Sequence, residues 1–196
     1  MSRGFLFFYA LVWPFFNLVH PGRVIGRENI PEGGALICAN HTRNSDPLYI
    51  LFALKRKTKL RIMAKEEMTK WPLVGPILSR INLMIWVKRG RADIGAVKAA
   101  LKTLKNNEKL LIFPEGTRYE EIGEGKTGAA MMAIRAGVPI LPIFIPAKKR
   151  WFRRTPVVIG KAYYPFVEDR KPTLEDYRSV TNELMERIGK LEDTLR

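Results

Sequence analysis

The sequence has few of the residues that build disulfide frameworks and metal sites. It contains one cysteine, Cys38, and two histidines, His20 and His41, among 196 residues. A single cysteine excludes an intramolecular disulfide and a zinc site built from cysteines. With two histidines, any metal site would have to rest mainly on carboxylates, and nothing in the sequence suggests one. We therefore expect neither a metal nor a cofactor.

The usual signatures of covalent catalysis and of nucleotide binding are missing as well. There is no G-x-S-x-G elbow to present a serine, and Cys38 lies in an apolar stretch, where a thiol is more often inert packing. The segment EGKTG at 124–128 fails as a phosphate-binding loop because Glu120 stands where that motif needs a glycine. These absences argue against a protein nucleophile and against nucleotide hydrolysis.

Acidic residues are scarce, with 19 Asp and Glu against 34 Lys and Arg, a net charge of +15. Such a charge attracts nucleic acid, anionic lipid or phosphorylated small molecules. The basic residues concentrate at 54–70 and at 147–154, where Trp151 and Phe152 are interleaved with them. Each stretch could be a solvated face, and the second could bind single-stranded nucleic acid. Since there is no RNA-binding motif, we expect an anionic membrane surface and no nucleic acid as the partner.

The longest uncharged run, residues 4–19, is rich in Phe and Trp but is short for a membrane span. As a helix it would be about 24 Å long against a hydrocarbon core of about 30 Å, and Pro14 interrupts it. We predict that residues 1–20 form a membrane-interacting helix that lies in the interface or enters one leaflet, with a buried core helix as the alternative. Residues 21–196 would form one further domain, at the cytoplasmic face of a membrane.

Along the rest of the chain, apolar runs alternate with amphipathic stretches. The apolar runs predict strands at 23–26, 35–40, 59–64, 82–88, 109–114, 138–145 and 156–160. The amphipathic stretches predict helices at 46–54, 92–107, 127–137 and from the N-cap Thr173 onward. The last helix carries an apolar stripe that we expect to face the core: Leu174, Tyr177, Val180, Leu184, Ile188, Leu191 and Leu195. This alternation predicts an α/β sandwich around a largely parallel sheet, with sites beyond the carboxyl ends of its strands.

The first polar signature, NHTRNSDP at 40–47, directly follows a predicted strand. In one interpretation Asp46 is a helix N-cap, with Pro47 as first helical residue, and His41 is a polar loop residue. In the other, a rigid Asp46 carboxylate binds one imidazole nitrogen of His41 and leaves the other as a base. The two interpretations are compatible. Without a protein nucleophile, such a base would act directly on a substrate hydroxyl.

The second polar signature, FPEGTR at 113–118, also follows a predicted strand. Gly116 permits a tight turn, and we expect Glu115, Thr117 and Arg118 to cluster at its tip. An arginine, a threonine hydroxyl and the amides of a turn can bind a phosphate. An ordinary solvated turn with a salt bridge is the alternative.

Taken together, residues 35–145 resemble the 1-acylglycerol-3-phosphate acyltransferases of phospholipid synthesis. Four motifs of that family occur in order, and they are matched by Asn40, His41 and Asp46, by Lys65 with 87–89, by 113–118 in full, and by 138–142. The chain departs from the family at Arg43, where a serine is common, and this residue bears on the choice of acceptor.

The resemblance implies a glycerolphosphate acyltransferase-like α/β sandwich and a reaction. A fatty acyl group would pass from acyl-CoA or an acyl-carrier protein to the 2-hydroxyl of lysophosphatidic acid, giving phosphatidic acid without an acyl-enzyme. His41 would be the general base and Asp46 would orient it. The acceptor phosphate would be held by Arg118 with Glu115, Gly116 and Thr117, and by Lys65 and Arg89. Another lysophospholipid as acceptor, or a non-enzymatic basic membrane-binding module, are the alternatives.

Overall fold

The computed structural model describes residues 3–54, 56, 58–72, 74–81, 83–88, 93–117, 122–167 and 170–196. Helices in these ranges are α1 (Arg3–Val19), α2 (Asp46–Ala53), α3 (Val74–Arg80), α4 (Ile94–Lys105), α5 (Gly128–Ala136) and α6 (Leu174–Lys190). Strands are β1 (Gly22–Ile25), β2 (Ala35–Ala39), β3 (Leu60–Lys65), β4 (Met84–Val87), β5 (Lys109–Ile112), β6 (Ile140–Phe144) and β7 (Thr155–Ile159). Short 3-10 segments lie at Arg27–Asn29, Glu66–Lys70 and Leu191–Leu195.

The strands form one sheet in the order β1-β7-β6-β2-β5-β3-β4. Neighbouring strands are parallel except β6 and β7, which are antiparallel, so β1 and β7 run opposite to the other five. Every residue of β2 and of β6 is buried, as expected for central strands covered on both faces. The predicted α/β fold with a largely parallel sheet is confirmed.

Helices cover both faces of the sheet, and the alternation of side chains along β2 divides the core between them. Ile37 and Ala39 point into a cluster that contains buried side chains of α1 and α2. Leu36 and Cys38 point into a second cluster, formed with α4, α5 and α6. Cys38 is therefore a buried packing residue, and burial raises the pKa of its thiol.

Helix α1 has one packed face and one exposed apolar face. Phe5 and Phe16 are buried in the first cluster, where the Phe16 ring lies 4.9 Å from that of Tyr49 in α2. Phe8, Tyr9 and Val12 are partly buried against the same cluster. On the opposite face, six large apolar side chains are exposed: Leu6, Phe7, Leu11, Trp13, Phe15 and Leu18. Within the described ranges, no helix combines the length and hydropathy needed to cross a membrane.

Two details differ from the sequence-based expectation, and a third agrees with it. Helix α3 was not predicted, because its seven residues include Gly75 and Pro76, which are poor helix formers. The apolar stripe of the last helix is buried only in its middle, at Val180, Leu184 and Ile188, whereas Leu174 and Leu195 at its ends are exposed. The predicted cap is confirmed, since Thr173 forms a capping box with Asp176.

Candidate active site

The two polar signatures meet at one edge of the sheet. His41 follows β2 and Glu115 follows β5, and these strands are parallel neighbours, so their carboxyl ends lie side by side. The end of β6 joins them, because Asn40 is paired with the backbone of Ile145 just after that strand. The sheet topology therefore gathers the segments that the sequence separates.

The His41 ring is held on two sides. Its Nδ1 lies 3.0 Å from Oδ2 of Asp46, and its face stacks on the ring of Phe113 at 4.0 Å between centroids. With a carboxylate as acceptor, Nδ1 carries the proton and Nε2 is left as the basic atom. The side chain is mostly buried but not closed off, with 14% of its surface exposed. The predicted pair of His41 and Asp46 is thus present in the structure.

Asp46 does not cap its helix, contrary to the first interpretation of this segment. It is the first residue of α2, and its carboxylate turns back over the preceding loop. There Oδ2 accepts hydrogen bonds from the backbone N–H groups of Thr42 and Arg43, both at 2.7 Å. The carboxylate is fully buried, and the loop N–H groups surround it, so they and not the helix N–H groups donate to it. Asp46 therefore fixes the His41 loop as well as the ring.

A buried cation completes this cluster. Nζ of Lys149 lies 2.9 Å from Oδ1 of Asp46 and donates a hydrogen bond to Oγ1 of Thr42 at 2.6 Å. Burial would raise the pKa of Asp46, but the hydrogen bond with His41 and the charge of Lys149 outweigh it and hold that pKa below its ordinary value. From the sequence, Lys149 is only one of several cations in the basic stretch at 147–154. Its position shortly after β6, at the site edge, was the available signal.

The turn at 113–118 places its residues differently from the expectation. Glu115 is 2% exposed and does not lie at the tip of the turn; its carboxylate faces the backbone N–H groups of His41 and Gly123. Burial raises the pKa of Glu115 to about 7, although these N–H groups favour its charged form. Within the described contacts neither carboxylate oxygen accepts a full hydrogen bond, which agrees with the raised pKa. Thr117 is exposed, as predicted, and Arg118 lies outside the described residues.

Two lysines approach the same edge. The predicted Lys65 ends β3, and its Nζ lies 5.9 Å from the centroid of the Trp71 ring. Lys126, which was not predicted, runs across the turn: a Cβ added to Gly116, whose φ is +70°, would meet its Nζ at 3.0 Å. The predicted Arg89 lies outside the described residues. Within the described part of the chain, no three His, Cys, Asp or Glu side chains group closely enough to hold a metal ion.

Comparison with known proteins gives one family. A model of the acyltransferase family matches residues 22–146. The 1-acyl-sn-glycerol-3-phosphate acyltransferase of Bacillus subtilis is 27% identical over 179 residues, which cover 88% of this chain and 89% of that protein. A Mycoplasma genitalium relative is 35% identical over 125 residues, and there the match spans about half of the relative's length, 45%.

A solved structure agrees with these matches. The crystal structure of the 1-acyl-sn-glycerophosphate acyltransferase of Thermotoga maritima superposes with a TM-score of 0.66 at 25% identity, covering 97% of this chain and 77% of that one. The family model alone matches more than half of the residues, and it includes both His41 and Glu115. The chain therefore belongs to the acyltransferase family, in which it is similar to 1-acyl-sn-glycerol-3-phosphate acyltransferases.

Proposed function

We propose that the protein transfers a fatty acyl group from an acyl thioester to the 2-hydroxyl of 1-acylglycerol-3-phosphate, giving phosphatidic acid. The observation that carries the proposal is the His41–Asp46 pair at the carboxyl edge of the sheet, 3.0 Å apart. The names and coverage of the relatives from Bacillus subtilis and Thermotoga maritima support this acceptor. Acyl-CoA and an acyl-carrier protein both supply the required thioester.

In the proposed reaction, Nε2 of His41 takes the proton of the acceptor hydroxyl as its oxygen attacks the thioester carbonyl. The new C–O bond forms and the C–S bond breaks, and the departing thiolate receives the proton from His41. Asp46 orients the ring and stabilises the transient imidazolium. No bond to the protein forms, which agrees with the burial of Cys38 away from solvent.

The acceptor phosphate is proposed to bind over the turn that follows β5. Gly116 and Thr117 supply the backbone and hydroxyl of that turn, and Arg118 follows them directly in the sequence. Lys126 adds a charge above Gly116, and Lys65 ends β3 at the same edge of the sheet. Arg89, which is proposed to contribute as well, lies outside the described residues. Several cations around one turn suit a dianionic phosphate better than a zwitterionic headgroup. Glu115 is 2% exposed beneath the turn, so we do not propose it as a direct contact of the phosphate.

The protein is also proposed to work at an anionic membrane surface on the cytoplasmic face. The exposed apolar side of α1 supports this, as does the turn at 150–154, where Trp151 and Phe152 are 70% and 65% exposed among arginines. The two features adjoin, because the N–H of Phe152 donates to the carbonyl of Val19 at 2.8 Å. Aromatic and basic side chains together are typical of surfaces that bind anionic lipid.

The test is acyl transfer to lysophosphatidic acid in vesicles, with acyl-CoA and with acyl-carrier protein, for the wild type and His41→Ala. We expect phosphatidic acid from the wild type and a rate lower by roughly 10²- to 10⁴-fold in the variant. Product only with other lysophospholipids would change the acceptor. Lipid binding without any transfer would instead favour a non-enzymatic membrane-binding module.

A further inference from the structure

The Asp46 carboxylate is shared between two side chains. Oδ2 faces Nδ1 of His41 at 3.0 Å, and Oδ1 faces Nζ of Lys149 at 2.9 Å. The side chain of Asp46 is fully buried and that of Lys149 is 2% exposed, so solvent screens their contact only weakly. The proposed catalytic pair is therefore one half of a buried three-residue cluster.

The side chain of Lys149 is buried, whereas the basic residues beside it are not. Lys148 and Arg150 are exposed, as charged residues in such a stretch usually are. Burial lowers the pKa of Lys149 and the adjacent Asp46 carboxylate opposes that change, so the ammonium depends on its partner. A buried ammonium is costly unless it is paired and hydrogen-bonded, and Lys149 has both Asp46 and Thr42.

The shared carboxylate places a second charge, that of Lys149, opposite the His41 ring. A buried carboxylate with no other counter-charge would favour the imidazolium form of an adjacent histidine, and a protonated histidine cannot accept a proton. A cation on the opposite oxygen offsets that attraction. We propose that Lys149 is a positioning residue, which balances the charge of Asp46 and so keeps His41 unprotonated at the start of each reaction cycle. This inference rests on the proposed role of His41 as the base.

The other charged groups around His41 belong to two segments. Arg43 lies in the same loop, and its Nε donates to the carbonyl of Ala147 at 3.4 Å. Glu115 faces the backbone N–H of His41 from beneath. Neither contacts the Asp46 carboxylate through its side chain in the described contacts, and a substitution at Lys149 changes neither residue. A change caused by Lys149 can therefore be separated from theirs.

The first measurement is the titration of His41 itself, followed by NMR of full-length protein labelled with ¹⁵N-histidine. The chain has only two histidines, so His20→Gln assigns both sets of signals. Lys149→Met removes the charge and keeps the length of the side chain, and we expect it to raise the titration midpoint of His41 by about one pH unit. Lys148→Met, the same change at the exposed neighbour, is expected to leave the midpoint unchanged.

The second measurement is the pH profile of kcat/KM for acyl transfer. In Lys149→Met we expect the acid limb to move upward by the same interval, so that the loss is largest near neutral pH and largely recovers at higher pH. Lys149→Arg, which keeps the charge, should retain the wild-type limb. If Lys149→Met does not fold, Lys149→Gln replaces it, because glutamine still offers a donor to Thr42.

The outcomes separate this inference from the proposed function. A folded neutral variant with an unchanged His41 midpoint, or a loss of activity equal at every pH, would show that Lys149 only supports the loop. If the midpoint shifts but His41→Ala keeps wild-type activity, the electrostatic coupling is real and the base role of His41 is wrong. A shift of both the midpoint and the acid limb supports the full proposal.

Discussion

Asn40 and Ile145 exchange two hydrogen bonds: the Asn40 amide donates to the Ile145 carbonyl at 2.8 Å, and its oxygen accepts from the Ile145 N–H at 2.9 Å. The side chain thus extends the pairing of β2 with β6 by one residue beyond the last backbone rung. The residue that follows is His41, so this contact sets where the His41 loop begins.

We expect Asn40→Ala to lower the free energy of unfolding by about 2–3 kcal/mol, because it leaves two buried backbone groups without partners. Acyl transfer should fall more than the stability loss explains, since the His41 loop would lose its attachment to β6. Denaturant unfolding measures the loss of stability. The kcat for acyl transfer, measured well below the midpoint temperature of unfolding, measures the loss of activity. Asn29→Ala is the matched control: it removes one asparagine contact, to the Ile159 carbonyl, and should keep its activity.

Glu115 predicts a pH dependence of stability. Its folded pKa is about 7 against an ordinary 4.5, so the folded protein holds this proton more tightly than the unfolded chain. The contribution of Glu115 to the free energy of unfolding is at most about 3 kcal/mol. It is fully present below about pH 4.5 and is lost as the pH rises through about 7. Glu115→Gln should remove that slope. A wild-type protein whose stability, relative to the variant, stays flat between pH 4.5 and 8 would contradict the assignment.

Lys126 is expected to contribute to acceptor binding. Lys126→Met should raise the KM for lysophosphatidic acid about tenfold and leave the KM of the acyl donor unchanged, since a charge-assisted hydrogen bond contributes about 1.5 kcal/mol. Lys102→Met, in α4, makes the same charge change away from the turn and should alter neither constant. Equal changes for both substrates would exclude a phosphate contact by Lys126.

The two faces of α1 predict opposite effects. The double variant Phe15→Ser and Leu18→Ser on the exposed face should weaken binding to anionic vesicles at least tenfold, because burial of each apolar side chain contributes about 2 kcal/mol. Its melting temperature should be unchanged. Phe16→Ala on the packed face should cost about 3 kcal/mol of stability. Flotation with vesicles and thermal unfolding distinguish them. Ile94→Ser, an exposed apolar residue of α4, is the control that should not affect vesicle binding.

Much of the architecture could be predicted from the sequence because each strand is a short apolar run with clear ends. The pair of His41 and Asp46 could be predicted because the two residues lie only five positions apart in the sequence. The direction of the Asp46 carboxylate could not, since helix capping and loop binding use the same residue type in the same place. Lys149 was missed because its contact with Thr42 joins residues 107 positions apart, and only the sheet order brings them together.

The antiparallel step between β6 and β7 decides which rim of the protein the N-terminal helix reaches. Because β7 and β1 run backwards relative to the other strands, they begin where those strands end. The last turn of α1 and the aromatic turn at 150–154 therefore stand on the same rim as His41. A lipid acceptor held by that rim would meet the base while its acyl tail still lay in the bilayer. One reversed strand pair thus places the proposed lipid-binding surface beside the proposed catalytic pair.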